Sequence, residues 1–90
     1  MASRNSIAVY PNPVTNGVFK LAFTDQPAGK YEVQLLDISG QLISKKNITI
    51  HNGMQVEEFR LPGFITSGSY LVKVVGHSNS TSYTEKIAVQ

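Results

Sequence analysis

The sequence predicts an all-β fold, an antiparallel sandwich of about seven strands, and three observations predict it. Gly, Pro, Asn, Asp and Ser cluster into turn signals about every 8 to 12 positions, the spacing of short strands joined by tight connections. Between them apolar and polar residues alternate, the period-two pattern of a half-buried strand. Apolar residues make up 41% of the chain and charged residues only 16%, enough to fill a core and too apolar for a disordered tail.

The first strand is expected over Ser6 to Tyr10. Pro11 and Pro13 follow it; each removes a backbone donor and fixes φ, so Tyr10-Pro11-Asn12-Pro13 closes the strand in a stiff extended corner. In the second strand, Val18 to Thr24, Phe19, Leu21 and Phe23 share one face. The third, Tyr31 to Asp37, repeats the pattern with Tyr31, Val33 and Leu35. Gln26-Pro27-Ala28-Gly29 has Pro at the second turn position, and Asp37-Ile38-Ser39-Gly40 has Asp at the first and Gly at the fourth; both suit type I turns.

The fourth strand is expected over Gln41 to Ile50, and Asn52-Gly53 predicts a hairpin into the fifth, Met54 to Leu61, because both turn residues tolerate positive φ. Met54 and Val56 have one parity and Phe59 and Leu61 the other, which predicts a β-bulge near Glu57 or Glu58. The sixth strand, Ser69 to Val75, carries Tyr70, Val72 and Val74 on one face. The seventh, Thr81 to Val89, carries Tyr83, Ile87 and Val89, and Gly76 to Ser80 should close this last hairpin. Such a strand set suits a single immunoglobulin-like or fibronectin-like sandwich.

A chain of 90 residues suits one core, here residues 6–90 after an N-terminal tail, expression remnant or linker over residues 1–5. Cysteine is absent, which excludes a disulfide framework and thiolate metal chemistry. The net charge of +2 comes from basic residues scattered along the chain, so no nucleic-acid partner is expected. No apolar run approaches the roughly 20 residues of a membrane span, and no direct membrane insertion is expected. The N-terminus lacks an apolar stretch of signal-peptide type, so any export signal is expected upstream in a longer parent.

Residue patterns for catalysis are not found. His51 and His77 flank turns without a second histidine or carboxylate at ligand spacing, so both are expected on the surface. Adjacent Glu57 and Glu58 point to opposite faces of a regular strand and cannot work as a paired acid and base. Phosphate-loop and nucleophile-elbow patterns are missing too. We therefore expect no catalytic residue, cofactor or metal, and a protein that is not an enzyme. Asn47-Ile48-Thr49 and Asn79-Ser80-Thr81 match the glycosylation sequon, a triplet frequent by chance, and receive no role.

Three motifs occur in a fixed order: Val9-Tyr10-Pro11-Asn12-Pro13; Leu36-Asp37-Ile38-Ser39-Gly40-Gln41-Leu42-Ile43; and Gly68-Ser69-Tyr70-Leu71-Val72 followed by Glu85-Lys86-Ile87-Ala88-Val89. Each alone reads as a strand terminator, a hairpin turn or a pair of core strands. Together, over nearly the whole chain, they resemble the type A C-terminal sorting domain of Bacteroidetes type IX secretion cargo, the Por secretion system. Two positions depart from the pattern: Ser67 stands where many relatives have proline or alanine, and Glu85 where they have a second lysine.

The resemblance implies a sorting signal that directs its parent through the type IX outer-membrane translocon, with passage through the periplasm and delivery to the cell surface or medium. It implies as partners the translocon and its shuttle proteins, a surface sortase, and an N-terminal cargo domain of the same chain. Gly68, Tyr70, Val72, Lys86 and Ile87 fall at the positions of the terminal strands the machinery needs, with Tyr10, Pro11, Asn12, Pro13, Asp37 and Gly40 as structural motif residues. The residue reading adds a mechanism, in which a partner strand joins the edge of the terminal hairpin and Lys86 adds a charge contact. The alternative is a carbohydrate-binding or passive spacer module of a secreted enzyme. For glycan binding, Tyr10, Phe64 and Tyr83 would be the aromatic platform, since Phe19, Phe23, Tyr31 and Tyr70 fall on core faces.

Overall fold

The computed structural model describes residues 6–51, 53–77 and 82–90. It is all-β, with seven strands: β1 (Ser6–Tyr10), β2 (Val18–Thr24), β3 (Gly29–Asp37), β4 (Leu42–Ile50), β5 (Met54–Arg60), β6 (Gly68–Gly76) and β7 (Ser82–Val89). They form a three-stranded sheet in the order β1-β2-β5 and a four-stranded sheet in the order β4-β3-β6-β7. Every strand pair is antiparallel. The expected strands are all present, with boundaries displaced by no more than one or two residues.

The core is what the alternation requires. Phe19, Leu21 and Phe23 from one sheet and Tyr31, Val33 and Leu35 from the other are each no more than 1% exposed. Phe19 stacks on Phe59 across the β2–β5 pair, with ring centroids 5.0 Å apart. The hydroxyl of buried Tyr31 donates to the Pro27 carbonyl at 2.6 Å, so the phenol enters the core with its polar end satisfied. Pro27 lies in the connection that carries the chain from β2 in one sheet to β3 in the other.

Two expectations are corrected. The β2–β5 ladder runs without interruption from Val18↔Arg60 to Thr24↔Met54, so no bulge lies near Glu57 or Glu58. The parity is regular: Gln55, Glu57 and Phe59 share the inward face, while Met54 and Val56 point outward and are 70% and 47% exposed. Apolar character misled here, because an edge strand has room for polar groups at the rim of the inner face and leaves hydrophobes outside. The ladder irregularity lies instead between Leu35 and Leu36, where β3 meets β4.

The second correction concerns the connection at Asn52-Gly53. Strands β4 and β5 belong to different sheets, so this segment is a crossing between sheets and not a hairpin. Asn52 lies outside the described residues, and the Gly53 carbonyl accepts from the Asp25 N–H at 3.2 Å, back toward β2. Gly53 has the positive φ the signal expects, +88°, but β5 joins β2 and not β4, because local sequence reports a reversal and not which neighbour receives the chain. Of the last connection, residues 78–81 lie outside the description; the β6–β7 register down to Val75↔Ser82 agrees with the expected hairpin.

Candidate recognition hairpin

The hairpin of β6 and β7 carries the residues singled out from the third motif. Gly68 opens β6 opposite Val89 with φ +152°, a conformation that L side chains rarely adopt. Tyr70 pairs with Ile87, is half-buried against the core, and donates its hydroxyl to the Thr66 carbonyl at 2.7 Å, which ties down the loop entering the strand. Val72 and Ile87 are 0% and 1% exposed, so they build the hairpin from inside the sandwich and have no surface to offer a partner. Lys86 is exposed, on the opposite parity of β7.

The first and second motifs converge on the same hairpin. Asp37, at the end of β3, is the register partner of Tyr70 on β6, and Tyr70 is the partner of Ile87 on β7. At the outer edge of β7 the Asn12 carboxamide brackets Ile87: its nitrogen donates to the Lys86 carbonyl at 3.3 Å, and its oxygen accepts from the Ala88 N–H at 3.0 Å. Asp37, Tyr70, Ile87 and Asn12 therefore form one row across the four-stranded sheet. One step along, the Val14 N–H donates to the Ala88 carbonyl at 2.7 Å and the Val14 carbonyl accepts from the Gln90 N–H at 2.9 Å. Residues 12–14 thus run along β7 as a short parallel pseudo-strand, and Val14 is fully buried.

Asp37 organises the outer end of this row. Its carboxylate accepts from the Ser39 N–H at 2.9 Å, the Ser39 hydroxyl at 2.6 Å and the Gln41 N–H at 2.9 Å. The Gly40 N–H donates to the Asp37 carbonyl at 2.9 Å, closing the turn, and Gly40 has φ +93°, which suits a glycine following a type I turn. The Ser39 hydroxyl bond, then the Gln41 N–H bond, hold the Asp37 carboxyl below its usual value of 3.8. On β7, burial and then the bond to the Glu85 carboxylate, which Tyr83 donates, push the Tyr83 phenol well above its ordinary value.

Neighbouring strand residues point their backbone groups alternately to the two sides of an antiparallel pair. Since Lys86, Ala88 and Gln90 bond outward to Asn12 and Val14, Ser82 and Thr84 share that outward parity, upstream of the pseudo-strand. Among the described residues, this stretch is the open part of the β7 edge. Two surface clefts, of about 400 and 360 Å³, are both lined in part by β4 at the other edge of the sheet. His51 and His77 are exposed, as expected. Among the described residues no group of three or more His, Cys, Asp or Glu could hold a metal ion. Of the three aromatics considered for glycan binding, Tyr10 and Phe64 are exposed, whereas Tyr83 is half-buried and bonded to Glu85.

The three separated motifs thus meet in one four-stranded sheet, around its terminal hairpin. The model of the secretion-system C-terminal sorting domain matches residues 8–90, and the chain belongs to that family. No curated protein matches the chain. The domain is accordingly a C-terminal sorting signal of type IX secretion, which interacts with the secretion machinery and sends its parent chain across the outer membrane to the cell surface or medium. The family assignment supports this reading and not the carbohydrate-binding or spacer alternative, and it points to sorting in place of catalysis.

Proposed function

We propose that the type IX machinery reads this domain at the β6–β7 hairpin, through the Lys86 ammonium and the open backbone edge of β7 at Ser82 and Thr84. Gly68, Tyr70, Val72 and Ile87 shape and seat the hairpin, and Lys86 makes the contact. Asp37 and Gly40 anchor one end of the motif row, and Tyr10, Pro11, Asn12 and Pro13 deliver the Asn12 carboxamide to the other. The observation that carries this reading is the row itself: the motif residues Asp37, Tyr70, Ile87 and Asn12 are consecutive neighbours across one sheet, ending on the strand that bears Lys86.

In this reading the parent chain passes through the periplasm, where the domain folds and the translocon and its shuttle proteins recognise it. A surface sortase then removes the domain, and the cargo is anchored or released. The experiment fuses the chain to a Sec-exported fluorescent reporter in hosts with and without a working type IX translocon. The parental fusion should leave the cell only in the competent host. Lys86→Ala should lower export while Lys86→Arg retains it, because the contact needs a positive charge. Export of Lys86→Ala at the parental level would remove the lysine from the recognition mechanism.

A further inference from the structure

Both edge strands of the four-stranded sheet are met by a carboxamide side chain, and the two contacts share one geometry. On β7, Asn12 bonds the Lys86 carbonyl and the Ala88 N–H. Beside β4, the Gln55 nitrogen donates to the Thr49 carbonyl at 2.7 Å, and the Gln55 oxygen accepts from the His51 N–H at 2.9 Å. In each case the side chain takes the C=O of one residue and the N–H of the second residue after it. A residue of a parallel neighbouring strand makes the same pair of bonds, and the Val14 backbone does so one step along β7, at Ala88 and Gln90. A primary carboxamide carries one acceptor and an N–H donor on one carbon, so it imitates the peptide groups of such a neighbour.

We propose that Asn12 and Gln55 are edge guards, surrogate strand peptides that keep the four-stranded sheet from pairing with a second copy of this chain. The lengths of open edge carry the argument. With Asn12 in place, the outward groups of β7 that take no bond among the described residues stop at the Lys86 N–H. Without it they run on through the Lys86 carbonyl to the Ala88 N–H. On β4 and just past it, Lys45, Asn47, Thr49 and His51 share one outward parity, and Gln55 ends the open run at the Thr49 N–H. A short open edge offers too few bonds to offset the cost of association, whereas a longer one is a template for edge-to-edge pairing. A further feature serves the same end on the β4 side: Glu57 receives the Gln55 nitrogen at 2.8 Å, which orients the carboxamide. Asn12 and Gln55 shorten the open edges and leave Ser82 and Thr84 free of them, and this inference holds whether or not Lys86 is read by the machinery.

The test is sedimentation of the purified chain over a wide concentration range, with amide hydrogen exchange on the same samples. Asn12→Ala and Gln55→Ala should each self-associate about tenfold more tightly than the parent, the worth of one or two recovered hydrogen bonds. At low concentration the Ala88 amide should exchange faster in Asn12→Ala, and the His51 amide faster in Gln55→Ala, with protection returning as the copies associate. Asp37→Ala weakens the turn between β3 and β4 without removing either carboxamide, and should stay as monomeric as the parent. If Asn12→Ala does not fold, Gln55→Ala decides the question alone. The proposal is overturned if the folded variants remain as monomeric as the parent, or if Asp37→Ala associates as strongly as they do.

Discussion

Asp37 shows how one side chain can hold a turn from the solvent side. Its carboxylate gathers two bonds from Ser39 and one from Gln41, which together hold its proton affinity below the ordinary value of 3.8. A carboxyl whose folded pKa lies below its unfolded value contributes stability that is full above the unfolded value and is lost as pH falls through the folded one. Asp37→Ala should therefore lower the urea midpoint at neutral pH, and the gap to the parent should narrow below about pH 4. Tyr83 has the opposite sign. Its raised phenol favours the folded chain fully below the ordinary value of 10.0, and this contribution drains away as pH rises toward the folded value. A spectrophotometric titration should lose a late-ionising step in Tyr83→Phe relative to the parent.

At the scale of the element, β7 separates residues that build from residues that present. Ile87 is 1% exposed, and Ile87→Ala should cost about 2–5 kcal/mol through lost burial and a cavity. Lys86 is exposed, and Lys86→Ala should change stability by no more than about 0.5 kcal/mol. If both variants lose export, only the first should also lose its melting temperature. Strand β5 makes the same distinction and tests its regular register. Val56→Lys should be tolerated, because that side chain faces outward, whereas Phe59→Ala should cost about 3–5 kcal/mol, because its ring is buried against Phe19. A bulge near Glu57 or Glu58 would have placed Val56 differently with respect to Phe59, so chemical denaturation of the two variants reads out the pairing.

At the scale of the molecule, the three motifs act as one object. Strand β3 lies beside β6, and the segment after β1 lies along β7, so residues up to 76 positions apart become hydrogen-bonded neighbours. The exposed Lys86 and the open edge at Ser82 and Thr84 sit at the rim of this object, while its interior is closed by Val72, Ile87 and Val14. The guards Asn12 and Gln55 are legible only at this scale. Asn12 reads in sequence as part of a proline-rich strand terminator, and Gln55 as an unremarked polar residue in an alternating strand.

The sequence by itself determined the strands, the inward residues of β2, β3 and β6, the turn at Asp37 to Gly40 and the family. These are set by period-two alternation, by local turn chemistry and by motif order, all of which act over a few residues. Beyond the β3–β4 and β6–β7 hairpins, which turn signals mark, tertiary structure alone decided which strands are neighbours. It turned Asn52-Gly53 from a hairpin into a crossing between sheets, kept β5 regular with Met54 and Val56 outside, and joined Asn12 to the far edge of β7. The reason is physical: a strand's own residues specify which face is buried, whereas its partners are chosen by the burial and hydrogen-bond satisfaction of the whole sandwich.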